Sequence, residues 1–397
     1  MKRETPAKVA FSLFLSAVLV YAQSAQPNDL RQTALALEQQ GKFVESEEAW
    51  RAFLKTHPSD AEAYAHLGLI EARQDHYKEA IPLYRKALAL NPGMQGLRLN
   101  LSLALFKGGD LKGAIPELTI LLKKAPPNSP DAMRYTILLG MAHYGLGQFA
   151  EAAPFLKTAA DADPQNIAIR LALAHSLLWS KQYSKVLDVY KEILALDPDS
   201  AEADMLAGEA LDEMSDVSGA IDMFRKAVKA KPNEPDVHFG LGYLLWSQRQ
   251  YPEAIKEFES ELANNPEHAQ SMLYIADAYI QMNRYAEAGP LLEKAIELDP
   301  SLGLAHLDLG ILAATDGRNE DALREFLAAE KLIPNDVNVH WRLGRLYRTM
   351  GKKEEAKAEL EKASTITRSA DQELYKKISG GQAKPLGTQP TPASPNQ

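Results

Sequence analysis

Four acidic side chains near the middle of the chain have the clearest potential for chemistry. The group consists of Glu202, Glu209, Asp212 and Glu213. Their spacings of seven, three and one residues suit one side of a helix. Carboxylates arranged in this way could receive a basic peptide or a divalent cation. The alternative is a solvated helix face, which is the commoner role of a run of charges.

Other groups that could support catalysis are scattered along the sequence. Nine histidines are present, no pair of them has the spacing of a zinc site, and there is no cysteine to complete one. The sequence also contains no glycine-rich phosphate loop and no Gly-x-Ser-x-Gly motif. We therefore predict a protein that is not an enzyme and that carries no metal ion or cofactor.

Composition and charge predict a soluble folded protein that does not bind nucleic acid. Of the 397 residues, 46% are apolar and 24% are charged, which suffices for a large core and a soluble surface. The formal net charge of −9 disfavours a nucleic-acid partner, because binding to phosphates depends on clustered lysine and arginine.

The first 22 residues have the pattern of a secretory signal peptide. Lys2, Arg3 and Lys8 precede an apolar run, and small residues follow at Val20-Tyr21-Ala22, where we expect cleavage. The alternative is an uncleaved membrane anchor, but the run is shorter than the ~20 residues that span a bilayer. We expect an exported protein, periplasmic or secreted, without a stable membrane span after signal cleavage.

Proline recurs at a fixed interval that defines the organisation of the chain. Successive prolines lie 34 residues apart, with one interval of 38, at positions 58, 92, 126, 164, 198, 232, 266, 300 and 334. They divide the chain into ten units that begin near residues 27, 61, 95, 133, 167, 201, 235, 269, 303 and 337. Such regular self-similarity is typical of a repeat protein.

Each unit has the pattern of two helices joined by a tight turn. The eighth residue is often glycine, the twentieth is usually alanine, and the twenty-fourth is bulky and apolar, as in Gly242, Ala254 and Phe258. Glycine in turns such as Gly41 and Gly109 suits the positive φ at which helices commonly end. The pattern predicts helical hairpins whose small residues let the two helices pack closely.

This period and these positions resemble the tetratricopeptide repeat family. The resemblance implies an all-α fold, an α-solenoid in which about ten hairpins form a right-handed superhelix over residues 23–370. We expect residues 371–379 to form a capping helix. The segment 380–397 is rich in proline, glycine and glutamine, so we expect it to be disordered.

In the resembled family, positions two, five, nine, twelve and thirteen of the first helices face a concave groove. Together with the acidic group, these positions give the candidate groove residues Phe106, Tyr144, His175, Trp179, Glu209, Asp212, Glu213, Phe239, Tyr243, Trp246 and Trp341. Aromatic side chains on a groove suit the anchoring of a protein partner, and they also suit sugar stacking. The alternative is that several of them pack in the core of the repeats.

Three histidines share the fourth position of their units, namely His238, His306 and His340. Their recurrence in register indicates a structural role in the repeat rather than a general base. The sequence as a whole predicts a scaffold that binds a peptide or protein in its groove during envelope assembly or secretion. The alternative function is a glycan-binding component of a polysaccharide or cell-wall system.

Overall fold

The chain folds into helical hairpins in the computed structural model, which describes residues 27–94 and 96–378. All secondary structure in these residues is helical, which confirms the predicted all-α fold. The helices are α1 (Pro27–Gln39), α2 (Phe43–Thr56), α3 (Ala61–Arg73), α4 (Tyr77–Leu90), α5 (Leu97–Lys107), α6 (Leu111–Lys124), α7 (Pro130–Gly145), α8 (Phe149–Ala162), α9 (Ile167–Trp179), α10 (Tyr183–Leu194), α11 (Ala201–Glu213), α12 (Val217–Ala230), α13 (Val237–Ser247), α14 (Tyr251–Asn264), α15 (Ala269–Gln281), α16 (Tyr285–Leu298), α17 (Gly303–Thr315), α18 (Asn319–Leu332), α19 (Val337–Thr349) and α20 (Lys353–Ile378).

The helices form two compact units, each of which is a stack of hairpins. The first unit ends at Ala159 and the second begins at Ala160, so the boundary lies within α8. In the first unit α1, α3 and α5 each pair with the even-numbered helix that follows, and in the second unit every odd-numbered helix from α9 to α19 does the same. Because one hairpin buries little apolar surface by itself, neighbouring hairpins within a unit pack against each other, as α4 does with α5 and α12 with α13.

Local capping explains where the first helices begin. Seven of them start at the predicted first residue of a unit, and the other three start two residues later or three residues earlier. Gly96 and Asp236 have left-handed backbone conformations, which delays α5 and α13. Ser129 accepts a hydrogen bond from the backbone N–H of Ala132 and caps α7 early.

The turn inside each hairpin has the same backbone conformation throughout the chain. The fifteenth residue of every unit has a positive φ, between 59° and 82°. Five of these residues are glycine and five are not, including Lys181 and Arg249. The predicted turn is therefore present, but the packing of the two helices imposes it even where the residue type disfavours it.

Close packing of the two helices of a hairpin depends on the eighth, twentieth and twenty-fourth residues of the unit. A Cβ atom built on Gly242 would lie 2.7 Å from the ring of Phe258, which is completely buried. The first hairpin, with Ala34 and Ser46, keeps the same arrangement, since the Ser46 hydroxyl donates to the Ala34 carbonyl across 2.8 Å. The small residues at the eighth and twentieth positions thus have the structural role that the sequence predicts.

Three predicted segments fall partly or wholly outside the described residues. The proposed signal peptide (1–22) and the proline-rich segment (380–397) lie outside them. The predicted capping helix is not a separate element, because residues 371–378 continue α20. No helix among the described residues is both long enough and apolar enough to cross a membrane.

Candidate functional site

The first helices of the second unit form a continuous surface. Successive first helices contact each other from α9 through α11, α13, α15 and α17 to α19, so their outward side chains lie beside one another. We call this surface the first-helix face. Nine of the eleven predicted groove residues lie on these first helices, from His175 on α9 to Trp341 on α19.

Three of the four acidic residues, Glu209, Asp212 and Glu213, line a pocket between the fifth and sixth hairpins, which we call the acidic pocket. Its volume is about 260 Å³ and its lining is Leu178, Trp179, Lys181, Tyr183, Glu209, Asp212 and Glu213. Trp179 is 62% exposed, and the Tyr183 hydroxyl donates to Glu213 Oε2 across 2.9 Å. The structure therefore brings four predicted residues together, one indole ring and three carboxylates.

The protein surroundings disfavour negative charge in the acidic pocket. Partial desolvation, and then the charge of Glu213, raises the pKa of both Glu209 and Asp212. His175 lies on the neighbouring first helix α9, and its Nε2 atom is 4.0 Å from Glu202 Oε1. Desolvation lowers the pKa of His175, and the charge of Glu202 opposes this effect. The pocket would gain from a cation that neutralises its carboxylates.

Four aromatic rings from the seventh and eighth hairpins pack together, and we call them the aromatic cluster. They are Phe239, Tyr243, Trp246 and Tyr274. The ring of Tyr274 stands edge-on to those of Tyr243 and Trp246, with centroids 5.4 and 5.0 Å away. Tyr243 remains 38% exposed, whereas Phe239 and Trp246 are half-buried. The cluster therefore exposes the ring of Tyr243 while the half-buried rings beneath hold it in place.

A buried carboxylate fixes the start of the helix that carries this cluster. Glu261 on α14 is almost fully buried and accepts hydrogen bonds from the backbone N–H groups of Asp236 and Phe239. These N–H groups lie at the beginning of α13, where the helix leaves them without partners. Glu261 thereby sets the position from which Phe239, Tyr243 and Trp246 project.

A larger cavity of about 560 Å³ adjoins the aromatic cluster. We call it the aspartate cavity, because two aspartates line it together with Arg342. Trp246, Asp277 and Asp308 come from α13, α15 and α17, and Arg342 comes from α19. The cavity is thus built by the first helices of four successive hairpins.

The two aspartates differ in their partners. Asp277 accepts hydrogen bonds from the indole N–H of Trp246, at 2.6 Å, and from the Gln281 amide, at 3.3 Å. Desolvation raises the pKa of Asp277, and these two bonds oppose it. Asp308 accepts no hydrogen bond and makes no ion pair with any side chain in the described segments, although it is only 7% exposed.

Burial raises the pKa of Asp308 more than that of Asp277. It raises the pKa of the Asp308 carboxyl well above the ordinary value, the charge of Asp277 raises it further, and Arg342 opposes both. Burial also raises the pKa of Tyr274 to about 12, with additional contributions from Tyr243 and the two aspartates. The cavity therefore brings two carboxyl groups and one guanidinium together in surroundings that disfavour the ionised carboxylates.

The remaining predicted groove residues lie elsewhere. Phe106 and Tyr144 belong to the first unit, where both are half-buried. Phe106 packs against a hydrophobic cluster, and the ring of Tyr144 lies edge-on to that of Phe149 at 5.7 Å. Trp341 is 41% exposed, but Arg345 lies over its ring at 4.6 Å. These three aromatic side chains are not part of the two pockets described above.

The histidines at the fourth position pair with carboxylates of the second helix. His238, His306 and His340 each place Nδ1 within 2.9 Å of a glutamate nineteen residues later. Around His340, the carboxylates of Glu330 and Glu359 approach with the spacing of a metal site. The ammonium of Lys362, however, donates to both carboxylates across 2.8 Å, so this cluster is an internal ion-pair network.

Sequence reasoning missed most of the aspartate cavity. Tyr274, Asp308 and Arg342 occupy the sixth position of their units, which the family pattern does not assign to the groove. A signal was present in α17, where Asp308 is the only aspartate, glutamate, lysine or arginine in thirteen residues. A lone carboxylate in an apolar helix is costly to bury and therefore points to a site.

Sequence profiles described as tetratricopeptide repeat match residues 31–94, 99–167, 143–210, 180–238, 239–302 and 337–369. Together these matches cover most of the chain. The chain belongs to the tetratricopeptide repeat family. The ten hairpins are accordingly tetratricopeptide repeats, and the first-helix face is the surface formed by their first helices.

Several curated proteins that are longer than the matched segment are similar to this chain. The BBSome complex member BBS4 of Bos taurus is 23% identical over 323 residues, covering 81% of this chain and 61% of that protein. The TPR repeat-containing protein YpiA of Bacillus subtilis is 26% identical over 226 residues, 56% of this chain and 52% of YpiA. The chain thus spans about half to three fifths of these relatives.

Two solved structures illustrate the structural likeness. The APC/C hetero-tetramer Cut9-Hcn1 aligns with 90% of this chain and 84% of its own, at 13% identity and a TM-score of 0.46. YrrB, described as a TPR protein with an unusual peptide-binding site, aligns with 48% of this chain and 97% of its own, at 21% identity and a TM-score of 0.37.

Proposed function

We propose that this protein is a non-enzymatic scaffold that binds a peptide or an extended protein segment on the first-helix face of its second unit. The observation that carries the proposal is the exposure of Trp179 on α9 and Tyr243 on α13, two first helices of the same face. Trp179 lines the acidic pocket, and Tyr243 packs against Trp246 and Tyr274, which line the aspartate cavity. Aromatic anchors next to polar groups are the usual composition of a binding surface.

The relatives support the same kind of role. Two of them are named as parts of protein assemblies, the BBSome complex member BBS4 and the anaphase-promoting complex subunit 3 of Schizosaccharomyces pombe. Stacked repeats offer a long surface for recognition, which favours binding over reaction.

The proposed location is outside the cytoplasm, in envelope assembly or secretion. The support comes from residues 1–22, whose basic start, apolar run and small residues are typical of an exported protein. Expression of the full chain followed by N-terminal sequencing of the mature protein tests this part. Cleavage after Ala22 is expected, and an intact N-terminus on cytoplasmic protein would contradict it.

A peptide-selection experiment tests the scaffold. Random dodecapeptides displayed on phage are selected against the full chain, and the affinities of enriched peptides are measured by fluorescence anisotropy. We expect Tyr243→Ala to weaken binding roughly tenfold or more, because exposed aromatic anchors contribute much of the free energy of such contacts.

The matched control is Leu327→Ala, which removes a similarly exposed apolar side chain from the second helix α18. This variant should bind as the original protein does. Selection of no peptide, together with retention of cell-wall polysaccharide that is lost in Trp179→Ala and Trp246→Ala, would instead establish the glycan-binding alternative.

A further inference from the structure

The aspartate cavity contains a charge for which the protein supplies no direct partner. Asp308 is more than nine-tenths buried and lines the cavity. No hydrogen-bond donor within the described segments reaches its carboxylate. Charge on a largely buried carboxylate is disfavoured when no donor reaches it, so Asp308 is a position where a cationic group from outside the protein would be stabilising.

The cavity contains more acidic than basic side chains. Asp277 and Asp308 each contribute a carboxylate, and Arg342 contributes the one guanidinium among the lining side chains. Arg342 lies within 4 Å of neither carboxylate, since no ion pair joins them in the described structure. Its charge attracts Asp308 at longer range without satisfying that carboxylate.

The geometry favours an organic cation over a metal ion. No third carboxylate or histidine within the described residues lies close enough to join the two aspartates in a metal site. The guanidinium of Arg342 would also repel a divalent ion. Aromatic walls from Trp246, Tyr274 and Tyr285 suit an ammonium or guanidinium, which gains from ring faces as well as from carboxylates.

We propose that the aspartate cavity binds the ammonium or guanidinium group of a lysine or arginine side chain between Asp277 and Asp308. This inference rests on the proposed scaffold function and names one side chain that the bound peptide must carry. Asp277 keeps acceptor capacity beyond its bonds to Trp246 and Gln281, because each carboxylate oxygen accepts two hydrogen bonds. The apolar stem of the bound side chain would lie along Leu304 and Ile311.

The cavity can be probed without knowing the peptide. The full chain is labelled with 5-fluorotryptophan, and the ¹⁹F resonance of Trp246 is assigned from a Trp246→Phe variant. Because its indole N–H bonds to Asp277, Trp246 reports directly on the cavity. The probes are n-butylammonium and n-butylguanidinium, with 1-butanol as a neutral molecule of the same chain length.

We expect the two cations to shift the Trp246 resonance saturably and 1-butanol to leave it unchanged. Asp308→Asn, which keeps the shape of the side chain, should weaken cation binding at least tenfold. The resonances of Trp50 and Trp341 serve as a check that the variant is folded. Glu213→Gln, in the separate acidic pocket, should leave the Trp246 response intact. Equal responses to butylammonium and 1-butanol, or unchanged cation affinity in Asp308→Asn, would overturn the inference.

The outcome of the cation experiment and the outcome of the peptide selection can be distinguished. Selected peptides that lack any recurring lysine or arginine, and that bind Asp308→Asn as tightly as the original protein, would refute the inference while supporting the scaffold. A saturable Trp246 response to the two cations, together with a selection that yields no peptide, would support the cation site and count against the scaffold.

Discussion

Replacing Gly242 with alanine is expected to lower the free energy of unfolding of the second unit by about 1–3 kcal/mol, the usual cost of overpacking a core. The added Cβ would lie 2.7 Å from the Phe258 ring, and that ring is completely enclosed by neighbouring hairpins. The ring can move aside only by displacing the aromatic cluster. Urea denaturation followed by circular dichroism measures the loss.

Two further variants separate packing from helix propensity. Gly289→Ala introduces the same methyl group in α16, where its nearest contact lies at 3.9 Å, so this variant should be neutral or slightly stabilising. The double variant Gly242→Ala with Phe258→Leu should recover part of the loss, because Ala276 and Leu292 form that pair in the eighth hairpin. Equal losses in Gly242→Ala and Gly289→Ala would contradict the explanation.

Replacing Asp308 with asparagine is expected to stabilise the unliganded protein at neutral pH by roughly 1–3 kcal/mol, the typical cost of a buried polar group without a partner. Burial and Asp277 hold the pKa of Asp308 well above its unfolded value. The folded state therefore binds more protons than the unfolded state between the two pKa values, and its stability falls as pH rises through this range. The cost is absent below the unfolded pKa and complete above the folded pKa.

The difference between the variant and the original protein should consequently disappear in acid. Urea denaturation at neutral pH and below about pH 4, the ordinary range of aspartate, measures both limits. Asp277, Tyr274 and Arg342 face the same cavity in both proteins and contribute to both curves. The control is Asp188→Asn on the exposed surface of α10, which should show no such gain. A variant that is less stable than the original at neutral pH would show that Asp308 is already satisfied.

A stabilising loss of charge combined with weaker cation binding would identify Asp308 as a binding residue. Natural proteins commonly retain local instability where function requires it. Asp308 would then be such a case, because the carboxylate that destabilises the free protein would also recognise the ligand.

The repeat architecture could be predicted from sequence because each unit repeats the same local pattern. The spacing of the prolines and the small eighth residues identified the hairpins, and seven first helices begin where that spacing predicts. The remaining differences arise from single residues. The left-handed conformations of Gly96 and Asp236 delay two helices, and the pattern of apolar residues carries no information about them.

The binding surface could be predicted only in part. The three carboxylates of the acidic pocket lie between Glu209 and Glu213 on α11, so the sequence already indicated their proximity, but it did not place Trp179 of α9 beside them. The aspartate cavity depends instead on the approach of four first helices, and Asp277 and Asp308 come together only in the tertiary structure. Their desolvation is likewise a property of the packed helices that residue spacing does not reveal.

The most direct test of the central claim is photo-crosslinking from the first-helix face in living cells. A benzophenone amino acid is placed at Tyr243, and for comparison at Leu327 on a second helix, and the adducts are identified by mass spectrometry. We predict a peptide or protein adduct that forms at Tyr243, is absent at Leu327 and contains a lysine or arginine near the crosslinked residue. Identical adducts at both positions, or a polysaccharide adduct at Tyr243, would contradict a peptide-binding scaffold.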